Sequence, residues 1–148
     1  MATDALFSGD GILSLIPQRA PMIMLDAFYE GSETEACTGL TVQPDNLFCV
    51  AGRITEPGLI EHIAQSASAH AGYKALCKQL TSPLGFIGEI KKLRIYRLPA
   101  VGEQLKTNIA VLSEVLNISL ISAEIKSGNE LVATCQMKIS IRIRGLED

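Results

Sequence analysis

PGLIEHIAQSASAHAGYKALCKQL, residues 57–80, is the stretch on which the fold turns. Proline suits a first helical turn, where its missing N–H has no bond to lose. Pro83 bars any continuation, so the spacing predicts one long helix over 57–80. Its middle is unusual, because Ala64, Ser66, Ala67, Ser68, Ala69, Ala71 and Gly72 are all small. Such a run lets other backbone approach closely from all sides. A sheet wrapped about the helix is therefore expected, against the alternative of a plain helix with a weakly apolar surface.

Outward from the helix, the chain reads mainly as strands. Residues 10–16 (DGILSLI) predict a short helix closed by Pro17. Residues 22–29 (MIMLDAFY) and 35–42 (EACTGLTV) predict two strands joined around Gly31 and Ser32. A loop over 43–56 comes next, holding the turn-favouring residues Pro44, Asp45, Asn46 and Gly52. Four further strands are expected over 86–97, 103–115, 117–126 and 130–144. In the last of them Met137, Ile139, Ile141 and Ile143 alternate with Gln136, Lys138, Ser140, Arg142 and Arg144. Two strands, one long helix and four consecutive strands predict an α+β fold with an antiparallel sheet, as a single domain over 1–148.

Composition narrows the function classes. The 148 residues are 47% hydrophobic and 20% charged, which excludes a disordered chain. A net charge of −3, few aromatics and no Trp argue against nucleic acid as the partner. Cys37, Cys49, Cys77 and Cys135 form no CxxC pair, so zinc frameworks and redox dithiols are not expected and reduced thiols are. The opening MATDALFSGD has no basic residue and does not read as a secretory signal. The longest uncharged run, 62–73, falls short of the ~20 residues that span a bilayer. A soluble cytoplasmic protein without metal or cofactor is the expectation.

Chemistry concentrates in the helix. Glu61 and Gln65 are four apart and share a face. A carboxyl on a small-residue stripe would lose hydration, the condition that suits it to general acid work near neutral pH. The alternative places Glu61 on the solvated side of the first turns, where the helix dipole favours an acid.

The motif resembles the 3-hydroxyacyl-acyl-carrier-protein dehydratases of bacterial fatty-acid synthesis. Their central helix carries Pro-Gly, an apolar run and Glu-x-x-Ala-Gln, matched here by Pro57, Gly58, Glu61, Ala64 and Gln65. LIPQRAPMIMLD (15–26) resembles the family's N-terminal Leu-Pro-His-Arg-x-Pro stretch. GFIGEIKKLRIYRLPAVGEQL (85–105) resembles its Phe-x-Gly strand, basic strand and Pro-Gly-Asp-Gln turn. The PDNLF segment at 44–48 is similar in spacing to the dehydratase-like proteins of aryl-polyene pigment clusters. The resemblance covers nearly the whole chain. It implies the hotdog fold, a long helix wrapped by a curved antiparallel sheet, usually as a dimer with interfacial active sites.

It also implies a β-elimination on an acyl thioester carried by acyl carrier protein or coenzyme A. A base takes the proton beside the thioester carbonyl and an acid protonates the departing hydroxyl; the family divides these roles between a loop His and the helix Glu. A backbone N–H polarises the carbonyl, for which Gly88, next to Phe86 in the Phe-x-Gly segment, and Gly58 are candidates. Each glycine has a packing role as its alternative.

The family's loop histidine is missing. Its slot falls on Cys49 or on Leu47, depending on the alignment, and Gln18 replaces the N-terminal His. Only His62 and His70 occur, both after Glu61. The expected catalytic residues are therefore Glu61 and Gln65, with Cys49 as a candidate thiolate base and Gly58, Phe86 and Gly88 as substrate contacts. Glu61 acting alone as base and acid, a hotdog thioesterase using Glu61, and a non-catalytic partner subunit of an active dehydratase are the alternatives. The expected assembly is a homodimer or a heterodimer with a related dehydratase. Lys91, Lys92, Arg94 and Arg97 form a basic stretch that could dock an acidic carrier protein, or be a solvated strand face.

Overall fold

The computed structural model describes residues 4–80 and 84–142. β1 (Phe7–Ser8) leads into a 3₁₀ helix (Gly9–Ser14), followed by β2 (Ala27–Gly31), β3 (Glu35–Thr41), β4 (Cys49–Val50) and β5 (Arg53–Ile54). The helix α1 (Glu56–Cys77) is followed by β6 (Leu84–Ile95), β7 (Gln104–Val115), β8 (Ile118–Ser127) and β9 (Glu130–Arg142). Seven strands form one antiparallel sheet in the order β1-β2-β3-β7-β8-β9-β6, and β4 pairs with β5 alone. The sheet lies against the helix as the small-residue run predicts, and the arrangement is the hotdog fold that the family resemblance implies.

The helix shows why small residues were needed. Gly58, His62, Gln65, Ser66, Ala69 and Gly72 are buried along one face of α1, and Ile63, Ala67, His70 and Ala75 carry the burial round to other sides. At Gly72 a Cβ would overlap the Leu15 carbonyl oxygen and lie 2.8 Å from its carbonyl carbon. The incoming chain thus lies directly on the helix backbone. Ile109, Ile121, Ala123, Ile125, Val132, Cys135, Met137 and Ile139 form the sheet's inner face, while Asn108, Ser122, Glu124, Thr134 and Gln136 alternate outward. Ile143 and Arg144 lie outside the described residues, as do the side chains of Ile141 and Arg142.

The long elements match their expected spans within a few residues. Two differences carry physical content. Residues 22–26 are not strand, because Gln65 takes their backbone groups: its Oε1 accepts from Met24 N–H at 2.6 Å and its Nε2 donates to Met22 O at 2.7 Å. The expected loop over 43–56 contains the β4–β5 hairpin, turned by Ala51 and Gly52 at positive φ.

Arg97 fixes the end of the sheet. It donates to both Glu103 oxygens at 2.7 and 2.8 Å and to Glu130 at 2.8 Å. Glu103 also accepts from Ala100 N–H and the Ser127 hydroxyl, and the Arg97 guanidinium foremost holds its carboxyl down to about 2. Arg97 is therefore committed to the fold and is not a free docking cation, which corrects the basic stretch to Lys91, Lys92 and Arg94.

Candidate active site

Glu61 lies half-buried in the second turn of α1, and its Oε2 accepts a hydrogen bond from Gln65 Nε2 at 2.7 Å. The i, i+4 spacing makes this contact possible. Gln65 is completely buried, and its remaining amide groups are used by Met22 O and Met24 N–H. Both amide protons and the oxygen are therefore engaged. Gln65 cannot turn without breaking two backbone bonds, so Glu61 is held by a fixed donor. Gln65 reads as a positioning residue in this geometry rather than as one that exchanges protons.

Both histidines are engaged in the fold. His62 Nδ1 is 2.6 Å from Met24 O and its Nε2 is 2.7 Å from Thr107 Oγ1. A carbonyl can only accept, so Nδ1 carries the proton and Nε2 accepts from the threonine. Complete burial pushes His62 down to about 4, with the Met24 carbonyl opposing that shift. His70 donates from Nε2 to Ser32 O at 2.6 Å, and burial is the main cause of its lowered pKa. Ser66 completes the polar spine, bonded to Thr38 and to His62 O at 2.8 Å each. His62 therefore has no ring nitrogen left to act as a base, and His70 lies nine residues, about 13 Å along the axis, beyond Glu61.

This burial predicts acid sensitivity. The unfolded chain takes up a proton on His62 near pH 6.5, whereas the folded chain resists until about pH 4. Unfolding then binds protons in that window, so stability rises with pH and is lost as pH falls from 6.5 to 4. At 1.36 kcal/mol per pH unit the loss approaches about 3 kcal/mol. Urea midpoints at pH 7.5 and 4.5 measure it. His62→Gln should flatten the dependence, and an unchanged slope would remove His62 as its cause.

The other expected residues are scattered about the helix start and the sheet edge. Cys49 lies in β4, opposite Ile54, packed against the core; no hydrogen bond or ion pair engages its thiol among the described residues. At Gly58 a Cβ would come within 2.6 Å of Phe48 Cβ and 2.9 Å of Ile54 Cγ2, so close packing accounts for that glycine. Gly88 differs. Ile87 pairs with Ile139 and Glu89 with Lys138, which leaves Gly88 as the extra residue of a bulge. A Cβ there would meet only Lys138 O at 3.5 Å, so packing does not require glycine. Phe86, on the same strand, is 56% exposed.

β6 is an edge of the sheet, and Ile87, Ile90 and Leu93 are also exposed along it. An apolar open edge is a template for another chain. Among the described residues no helix is long and apolar enough to cross a membrane.

Comparison with known proteins gives a consistent picture. A family model described as ApeP-like, ApeP dehydratase, matches residues 11–142. The structure of the dehydratase heterocomplex ApeI:P from Xenorhabdus doucetiae matches with a TM-score of 0.84 and 18% identity, over 90% of this chain and 91% of that one. An uncharacterized protein, PH1136, from Pyrococcus horikoshii matches at 0.65 and 12% identity, over 86% and 90%. A hypothetical thioesterase with coenzyme A from Streptococcus pneumoniae TIGR4 matches at 0.62 and 8%, over 78% and 84%. No curated protein sequence matches the chain. At these identities the structural likenesses show the hotdog fold.

Proposed function

The chain belongs to the ApeP-like dehydratase family, and we propose that it is one subunit of a composite hydroxyacyl-thioester dehydratase. Its substrate is an acyl chain carried as a thioester on acyl carrier protein or coenzyme A. Glu61 supplies one of the two proton-transfer groups, held in place by Gln65. The other comes from a related dehydratase subunit.

The observation that carries this reading is the engagement of both histidines. β-Elimination needs two groups of different basicity. Glu61 has a fixed donor beside it, yet His62 spends both ring nitrogens on Met24 and Thr107, and His70, buried nine residues further along the helix, donates its Nε2 to Ser32 O. A subunit with one prepared carboxyl, and no histidine beside it with a ring nitrogen to spare, is complete only beside another chain. The heterocomplex described for ApeI:P supports a partner of this kind. The exposed β6 edge is where it would pair, which brings the Gly88 bulge to the interface as a carbonyl-polarising backbone.

Reconstitution tests this. The purified chain, a dehydratase-like subunit and their mixture are each incubated with a 3-hydroxyacyl-carrier-protein thioester and followed by mass spectrometry. Water loss by the mixture, exceeding that of either chain alone, is expected. Hydrolysis to free thiol would favour a thioesterase and sink the proposal. A charge on the pairing edge, Ile87→Lys, should abolish co-elution of the subunits while leaving secondary structure intact. An unchanged rate in the Cys49→Ser assembly would exclude the thiol from the reaction.

A further inference from the structure

The hairpin that joins β7 to β8 departs from ordinary turn chemistry. Val115 pairs with Ile118, so Leu116 and Asn117 alone make the turn. Leu116 adopts a φ of 57°, the left-handed region that two-residue turns reserve for Gly, Asn or Asp. Its side chain is nevertheless 94% exposed. A leucine here strains the backbone and fills no space in its own core. A residue that local folding disfavours and the core does not use points to a contact outside the chain.

Leu116 is the tip of an apolar end of the molecule. Ile118 pairs with Val115 on one side and Ser140 on the other, and Ser140 pairs with Phe86. Val115, Ile118 and Phe86 therefore lie in one row on the outer face of the sheet, and all three are exposed. Glu114 lies 3.7 Å from Lys74 in the last turn of α1, which brings the exposed Leu76 and Leu80 to the same end. These side chains together present on the order of 600 Å² of apolar surface, the upper limit for the largest patch of a typical monomer. Each partner of a standard interface contributes about 800 Å².

We propose that this end is the docking surface for a second copy of the chain, joined about a two-fold axis. The area is most of what one partner in a stable dimer buries. Charge also fits, because a two-fold contact sets a surface against itself and any net charge there would repel. Among the described residues the charges around the patch cancel in pairs: Lys74 with Glu114 at 3.7 Å, Lys78 with Glu33 at 3.8 Å and Lys138 with Glu89 at 3.5 Å. A bilayer is the poorer match, since the chain has no Trp to anchor at a lipid interface and these lysines already face carboxylates. The contact crosses the strand ends and leaves the rest of the β6 edge open for the related subunit.

Sedimentation equilibrium on the purified full-length chain should give a reversible dimer of twice 15.9 kDa. Leu116→Asp should weaken it by about tenfold or more, while Ile87→Lys on the β6 edge leaves it intact. Leu116→Gly is the sharper variant. It relieves the turn, so its unfolding midpoint should hold or rise at a dilution where the wild type is monomeric, yet its dimer should weaken. With the related dehydratase subunit added, the wild type should form an assembly of two copies of each chain, and Leu116→Asp an assembly of one of each.

A wild type that stays monomeric at every concentration overturns the proposal. A dimer that Ile87→Lys dissolves and Leu116→Asp spares also overturns it, by placing the copies edge to edge. Flotation of a monomeric wild type with phosphatidylcholine vesicles, lost in Leu116→Asp, overturns it in favour of a bilayer. So does a lower midpoint for monomeric Leu116→Gly, which would make the leucine part of the fold. None of these outcomes bears on the dehydratase reading, which stands or falls on the reconstitution assay.

Discussion

Glu61→Gln is expected to lower dehydration by the reconstituted assembly by about 10²- to 10⁴-fold, the range for loss of a positioned general acid or base. The substitution changes little else. The new side-chain oxygen can still accept from Gln65 Nε2, which sits 2.7 Å from the present carboxylate, so the local geometry persists. The variant should therefore fold, assemble and bind the thioester like the wild type, and the loss should fall on kcat rather than KM. Gln65→Leu is expected to act differently. It removes the donor to Glu61 and also strands Met22 O and Met24 N–H, so stability and kcat should fall together. Rates measured with saturating 3-hydroxyacyl-carrier protein separate the two patterns. A Glu61→Gln assembly that retains its rate would exclude the carboxyl from proton transfer.

The helix and the four strands after it were legible because each is long enough for its period to show. The run of small residues over 64–72 announced close backbone approach, and Met137 and Ile139 announced the buried face of β9. The features that escaped were set by contacts distant in sequence. MIML at 22–25 has the composition of a strand, yet Gln65, 41 residues further on, bonds to Met24 N–H. His62 offered no signal of its role, because its partners Met24 and Thr107 lie 38 and 45 residues away. β1, β4 and β5 are two residues each, too short for alternation to appear. Glu61 with Gln65 was legible for the opposite reason: an i, i+4 pair is a local fact of helix geometry.

Gly72→Ala should produce the largest loss of stability of any single methyl addition to the helix. Helix propensity alone points the other way, since alanine in place of an interior glycine favours a helix by about 1 kcal/mol. Packing decides the sign. The added Cβ would overlap the Leu15 carbonyl oxygen and sit 2.8 Å from its carbonyl carbon and 3.0 Å from its Cα. These are backbone atoms, which cannot swing aside as a side chain would. Leu15 is itself completely buried beside Ile12, Ile16 and Met24, so relief would require the whole N-terminal segment to lift from the core. Overpacking commonly costs about 1–3 kcal/mol, and a backbone obstruction should take the loss to about 4 kcal/mol. Urea unfolding of Gly72→Ala beside Gly88→Ala makes the comparison internal. Gly88 has only Lys138 O within reach of a new Cβ, at 3.5 Å, so its change should cost under about 1 kcal/mol. If Gly72→Ala instead stabilised the protein by its propensity, the chain at Leu15 would not rest on the helix, and the small-residue run would need another cause.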